Sequence, residues 1–280
     1  MLQLFSDTSF KLSKRLTNSY STSFSWGIKA FSTEYRDYIY AVYGYVRLAD
    51  EIVDSFHGYN KAELLNKLRE DTWKAIDEGI STNPILQAFQ ITVNKFNIDK
   101  ELIEAFLKSM EMDLSNSSYK RDYYDTYIYG SAEVVGLMCL KVFIHGNQQK
   151  YDELKFAAKQ LGSAFQKVNF LRDIKSDIQE RGRIYLPDVH EEVFITNSSK
   201  RKLEEEVENE FRDALIGIMK LPIGVKLGVY SAYLYYYFLF KKIKSLDVDE
   251  LLSRRVRISN FKKFLLLLKS VIEVKVLRLT

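Results

Sequence analysis

Asp50 and Asp54 stand four residues apart, and so do Asp173 and Asp177. On a helix that interval places both carboxylates of a pair on one face. The first face continues backwards through Arg47 and Tyr43, the second through Asn169 and Gln166, with Arg172 beside Asp173. Two ionised carboxylates at this spacing repel by roughly a few tenths of a kcal/mol on an exposed helix. Here the flanking residues are apolar (Val46, Leu48, Ile52 and Val53; Val168, Phe170, Leu171 and Ile174), so half-burial would raise that cost. A hard divalent cation removes it. Mg2+ takes oxygen ligands, keeps several waters, and is held by one or two carboxylates together with substrate phosphates. Two D-x-x-x-D faces are therefore a candidate cage for a magnesium–diphosphate cluster, with Mn2+ as the other ion such ligands accept. A single pair reads as a solvated face. A second pair, with amide and arginine neighbours inside apolar sequence, argues for the cage.

Such faces need long helices, and the composition suits them. The 280 residues are 46% apolar and 28% charged, with 19 Tyr, 18 Phe and 2 Trp beside only 3 Pro and 12 Gly, which excludes a disordered chain and predicts helices around an aromatic-rich interior. Periodicity predicts a helix over 34–57 stopping at Gly58, one opened by Asn83-Pro84, one opened by Asp99, a buried central helix over 123–144, and a long helix over 150–181 ending at Gly182. Pro187 breaks the chain, 188–198 reads as a polar loop, and helices follow over about 199–220, 223–245 and 259–277. No repeat or Gly/Ser linker divides the chain, so one all-α domain over 1–280 is expected.

Several function classes drop out. A net charge of +4 is too weak to argue for nucleic acid. The lone Cys139 cannot form an internal disulfide and reads as a small core residue, while His57, His145 and His190 lie too far apart for a histidine metal site. His57, near the end of the first acidic helix, suits the helix dipole better than catalysis. The opening MLQLFSDTSFKLSKRL has no signal-peptide core, and no run of 18 apolar residues exists. A cytoplasmic location is expected. Lys200-Arg201-Lys202 and Arg254-Arg255 read as solvated faces, with peripheral contact to anionic lipid as the alternative.

Five blocks then carry a resemblance. Tyr20-Ser-Thr-Ser-Phe24, AVYGYVRLADEIVD (41–54), YGSAEVVG (129–136), LGSAFQKVNFLRDIKSD with RGRIYLP (161–187), and SRRVRISNFKKF (253–264) together resemble the squalene/phytoene synthase family, the last block its phytoene-synthase branch. The resemblance runs over nearly the whole chain with motif order kept. It implies an all-α isoprenoid-synthase bundle around a central cavity and head-to-head condensation of two prenyl diphosphates. Matched residue by residue, Asp50, Asp54, Asp173 and Asp177 would hold Mg2+ with Asn169, and Arg47 and Arg172 would lie near the diphosphates. Ser21 and Ser23 match serines that contact a diphosphate. Phe24, Tyr43, Tyr129, Gln166, Arg183, Tyr185 and Tyr236 match positions lining the site. Glu51 and Ser176 depart from the common acids at their positions, which implies tuning of the metal site.

The expected reaction joins two geranylgeranyl diphosphates through a cyclopropyl diphosphate to phytoene, without NADPH. The alternatives are a squalene or dehydrosqualene synthase using two farnesyl diphosphates, and a non-catalytic assembly factor of the same fold. Retention of all four aspartates speaks against the last.

Overall fold

The computed structural model describes residues 1–115, 121–181, 185 and 196–276, excepting the side chains of Ser23, 179–181 and Val276. Among these residues there is no strand. The helices are α1 (Leu2–Tyr20), α2 (Thr22–Lys29), α3 (Thr33–Asp54), α4 (Lys61–Glu78), α5 (Pro84–Phe96), α6 (Lys100–Ser115), α7 (Arg121–Ile128), α8 (Val134–Phe143), α9 (Gln148–Arg181), α10 (Asn197–Lys220), α11 (Ile223–Lys244), α12 (Val248–Ser253) and α13 (Asn260–Val271). Local chemistry sets their ends. Asn83 caps α5 by accepting the Ile85 N–H at 3.0 Å, with Pro84 in the first turn. Gly79 closes α4 at φ 70°, and His145 (φ 52°) with Gly146 (φ 71°) closes α8.

The single helix expected over 123–144 is instead α7 and α8 joined by a π-helical turn, Tyr129–Glu133. Gly130 in that turn lies so close to α6 that a Cβ would sit 2.5 Å from the Ala105 carbonyl oxygen. The extra residue in the turn shifts the backbone into that contact. A second difference concerns Lys200. It is not part of a solvated face: it is buried, 5% exposed, and paired with the equally buried Glu204.

α1 packs on α3 and α5 through an unusual stripe of small hydroxyls, Ser6, Ser9, Ser13 and Thr17. The hydroxyls of Ser9, Ser13 and Thr17 donate to carbonyls one turn earlier, at 2.9, 3.2 and 2.9 Å, so their burial leaves no donor unmet. Gly44 of α3 receives this stripe, its absent Cβ being only 3.1 Å from that of Ser13. Around α3 the core is aromatic: Tyr45 stacks on Phe89 with centroids 3.9 Å apart, and Phe106 closes the group. Across the bundle α9 lies on α8 and α10, and Phe211 of α10 packs edge-on to Tyr233 and Tyr237 of α11.

The crossing of α2 on α11 matters most for the site, because these helices carry Phe24 and Tyr236. It is made at Gly27 and Gly228. A Cβ on Gly228 would stand 2.2 Å from the Phe31 ring and 2.5 Å from the Gly27 carbonyl oxygen. Gly228→Ala should therefore push the helices apart at a cost of about 1–3 kcal/mol. The check is thermal unfolding: an unchanged Tm would mean that the crossing relaxes freely.

Candidate active site

The first acidic face lies on α3. Arg47 Nη1 is 3.9 Å from Asp50 Oδ2, and its other nitrogen engages Glu51 in a direct ion pair. Glu51 thus holds the arginine in place, while Tyr20 underlies the guanidinium at 4.2 Å. Arg47 Nε is nonetheless buried with no hydrogen-bond partner among the described residues. The second face lies on α9, where Asp173 is clasped by two arginines. Arg172 Nε donates to its Oδ1 at 2.9 Å and Arg172 Nη2 bonds Oδ2; Arg255 Nε reaches Oδ1 at 2.6 Å and its Nη2 reaches Oδ2 at 3.2 Å. Burial pushes the Asp173 carboxyl pKa up, but the two arginines outweigh it and hold it below the usual carboxylate range. Asp177, one turn on, is buried, and Asp54 is half-buried.

A chain of side chains joins the two faces. Tyr43, two turns before Asp50, lies beside Ser21, whose hydroxyl oxygen caps α2 by accepting the Phe24 N–H at 3.2 Å. Phe24 lies 5.6 Å from the Tyr43 ring and 6.2 Å from that of Tyr236. Tyr236 donates its hydroxyl to Asn169 Oδ1 at 3.3 Å, and Asn169 Nδ2 donates to Gln166 at 3.4 Å. Burial raises the Tyr43 pKa and pushes that of Tyr236 up to about 12, so both phenols stay neutral donors at neutral pH. A pocket open to solvent adjoins Phe24 and Tyr236, walled by Trp26, Tyr235, Lys263 and Leu267.

The structure therefore brings together Asp50, Arg47, Tyr43, Ser21, Phe24, Tyr236, Asn169, Gln166, Arg172 and Asp173. Asp54 and Asp177 follow one turn after Asp50 and Asp173, and Tyr185 and Tyr129 make contacts of their own. Tyr185 stacks on Phe170 with centroids 4.6 Å apart and donates to Asp113 at 2.9 Å, beside Tyr127, which donates to the same carboxylate at 2.8 Å. Tyr129, in the π turn, sits under Lys159 at 5.2 Å. The side chain of Ser23, and Arg183, Gly182, Pro187 and most of the 188–198 loop, fall outside the described residues. Arg255 is exposed, as expected of a solvated face, and it also grips Asp173 from the segment between α12 and α13. Phe165, stacked on Tyr236 at 4.0 Å, gave no sequence signal of its own. Cys139 behaves as expected of a core thiol, burial pushing its pKa up to about 12.

The donors present are of the kind a hard cation takes. Asp50, Asp54, Asp173, Asp177 and Asn169 offer only oxygen, and among the described residues no three acids, histidines or cysteines converge on one point. A site of that kind is completed by phosphate oxygens and water. The orphaned Arg47 Nε is a ready donor to such an oxygen.

A sequence profile of the squalene/phytoene synthase family matches residues 17–194. The chain is 29% identical over 270 residues to chloroplastic phytoene synthase of Cucumis melo, covering 89% of itself but 63% of that protein's length. It is 32% identical over 190 residues to phytoene synthase of Arthrospira platensis, covering 64% of itself and 61% of that protein. In three dimensions a dehydrosqualene synthase superposes with TM-score 0.80 over 97% of this chain and 98% of its own, at 20% identity. Squalene synthase HpnC of Alicyclobacillus acidocaldarius follows at TM-score 0.74, also 20% identical, over 85% and 93% of the two chains. With its profile match spanning both acidic faces and its all-α bundle shared with these structures, the chain belongs to the squalene/phytoene synthase family.

Proposed function

We propose that this chain is a phytoene synthase acting as one domain, condensing two geranylgeranyl diphosphates head to head through a cyclopropyl diphosphate. The observation that carries the reading is the bridge from Asp50 through Tyr43, Phe24 and Tyr236 to Asn169 and Asp173, with arginines at both ends and aromatic faces between. Likeness in sequence to phytoene synthases supports the C20 substrate.

Asp50, Asp54, Asp173, Asp177 and Asn169 would hold Mg2+, which when bound supplies positive charge to a departing diphosphate. Arg47, Arg172 and Arg255 add fixed cations beside the same leaving group. One allylic diphosphate leaves with its bonding electron pair, and the resulting cation adds to the second molecule's double bond with loss of a proton, giving the cyclopropyl diphosphate; its remaining diphosphate then leaves with its own electron pair, and the ring rearranges and opens with loss of a second proton. Tyr43 and Tyr236, as neutral phenols, donate hydrogen bonds without presenting a phenolate that would trap the cation. The faces of Phe24 and Phe165 stabilise positive charge by roughly 0.5–2 kcal/mol each once water is excluded.

The test is a product assay with Mg2+, offering geranylgeranyl and farnesyl diphosphates separately, with and without NADPH. A C40 hydrocarbon formed without NADPH is the expected result. A C30 product alone would move the chain to the squalene or dehydrosqualene branch, and no product from folded protein would point to an assembly factor.

A further inference from the structure

Asp113 is a buried carboxyl group, 7% exposed, that the proposed reaction does not use. It stands near the end of α6 and accepts from two phenols: Tyr127 of α7 donates to its Oδ2 at 2.8 Å and Tyr185 donates to its Oδ1 at 2.9 Å. Both tyrosines are buried as well. One side chain thus ties α6 to α7 and to the chain beyond Asp177.

The rings of the two donors belong to a small aromatic core separate from the main one. Tyr185 stacks on Phe170 with centroids 4.6 Å apart and planes only 4° from parallel. Tyr127 lies 5.3 Å from Tyr185 and 6.1 Å from Phe170, and Tyr124 lies 6.2 Å from Phe170. Phe170 links this group to the site. Phe170, Asp173 and Asp177 stand at i, i+3 and i+7 on α9, so the ring and the two carboxylates share a helix face. Whatever seats Phe170 also sets how that face is turned. A ring stack alone permits sliding, whereas a hydrogen bond weakens steeply with angle. The two hydroxyls on Asp113 therefore fix the rings against which Phe170 rests.

We propose that Asp113 is a positioning residue for the second acidic face: through Tyr185 and Tyr127 it fixes the aromatic stack that seats Phe170 and so sets the rotation of α9 at Asp173 and Asp177. The inference rests on the proposed role of those two aspartates as oxygen donors to a divalent cation. Asp113 acts on that cation from outside its ligand set, as an outer partner that orients the ligands.

Mn2+ binding to the full chain with inorganic diphosphate, followed by electron paramagnetic resonance, tests this without turnover. Tyr185→Phe keeps the ring and its stack but removes one hydrogen bond, and it should weaken Mn2+ binding about tenfold. Asp113→Asn should weaken it at least as much, because an amide accepts from one phenol and must turn its amino group towards the other. Tyr127→Phe, with a loss in the same direction, covers the case in which Asp113→Asn does not fold. In turnover the same variants should need more Mg2+ for half-maximal rate, a shift that lost stability alone does not produce. Tyr124→Phe is the control: it removes a hydroxyl from the same aromatic group, one with no partner among the described residues, and should leave Mn2+ binding unchanged. If Tyr185→Phe and Asp113→Asn bind Mn2+ like the unaltered chain while Asp173→Asn does not, the positioning role is wrong and the metal reading stands. If Asp173→Asn also binds unchanged, or the unaltered chain binds no Mn2+, the metal reading fails and this inference with it. Equal losses in Tyr124→Phe would mean a general loosening of the rings and would overturn the role of Asp113.

Discussion

Asp173→Asn should lower turnover by about 10^3-fold or more while leaving the chain folded. Asparagine keeps the shape and one acceptor but removes the charge that both Arg172 and Arg255 address. Two guanidiniums would then face each other across a neutral amide, and the second acidic face would keep only Asp177 as a carboxylate. The loss should appear in kcat and in the Mg2+ dependence together, because the same oxygen donors are argued to take the ion. A readout independent of turnover is Mn2+ binding followed by electron paramagnetic resonance in the presence of inorganic diphosphate, which should weaken markedly. The pH behaviour follows from the depressed Asp173 pKa. A carboxyl whose folded pKa lies below its unfolded value of about 3.9 stabilises the fold above that value and loses the contribution as pH falls through the folded pKa. Asp173 is therefore ionised throughout the neutral range, and its protonation should leave no step in a pH–rate profile between pH 5 and 9. An Asp173→Asn chain that retained a tenth of normal activity and bound Mn2+ unchanged would refute the assignment of the second acidic face.

The parts of this arrangement that were readable in advance share a feature: their signal is periodic in polarity. Carboxylates four apart in apolar sequence and the long helices bearing the aspartates announce themselves that way. What escaped was set by contacts between distant segments. α1 hides because its buried face is Ser6, Ser9, Ser13 and Thr17, residues that a hydrophobicity pattern assigns to solvent; their small size, and carbonyls one turn back, let them pack against Gly44. The π turn at Tyr129–Glu133 depends on how near Gly130 comes to α6, which no local propensity encodes. Lys200 looked solvated inside a basic triplet and is buried because Glu204, one turn on, neutralises it. Arg255 looked equally ordinary, although it lies in a block that resembles the family. Its role depends on a reach of 82 residues along the chain to Asp173.

Lys167→Met should strongly destabilise the fold while leaving the bridge of site residues intact. Lys167 is almost fully buried between α9 and α10, where its ammonium lies 2.6 Å from Glu210 and 3.1 Å from Glu206. Arg121 from α7 also binds Glu206, at 2.8 Å, but among the described residues Glu210 has otherwise only the Ser163 hydroxyl at 2.7 Å, and its second oxygen is buried with no partner among them. Removing one member of such a group strands a buried carboxylate at a cost of about 3–5 kcal/mol. For a chain of this size that corresponds to a fall in Tm of roughly 10 °C. The sign of the pH dependence separates this cause from lost packing. Burial already raises the Glu210 pKa above its ordinary value, against the pull of Lys167, and without the lysine it should rise further. A carboxyl with a raised folded pKa favours the fold below its unfolded pKa of about 4.3, and that contribution is lost as pH rises through the folded value. The Tm penalty of Lys167→Met should accordingly be large at pH 8 and shrink towards pH 5.5, where the stranded acid can take a proton. Lys167→Met/Glu210→Leu should recover most of the loss at pH 8, since an apolar pair of similar volume needs no counter-charge. A penalty independent of pH, with no recovery in the double variant, would mean that the methylene stem of Lys167 holds α9 on α10 and its charge does not.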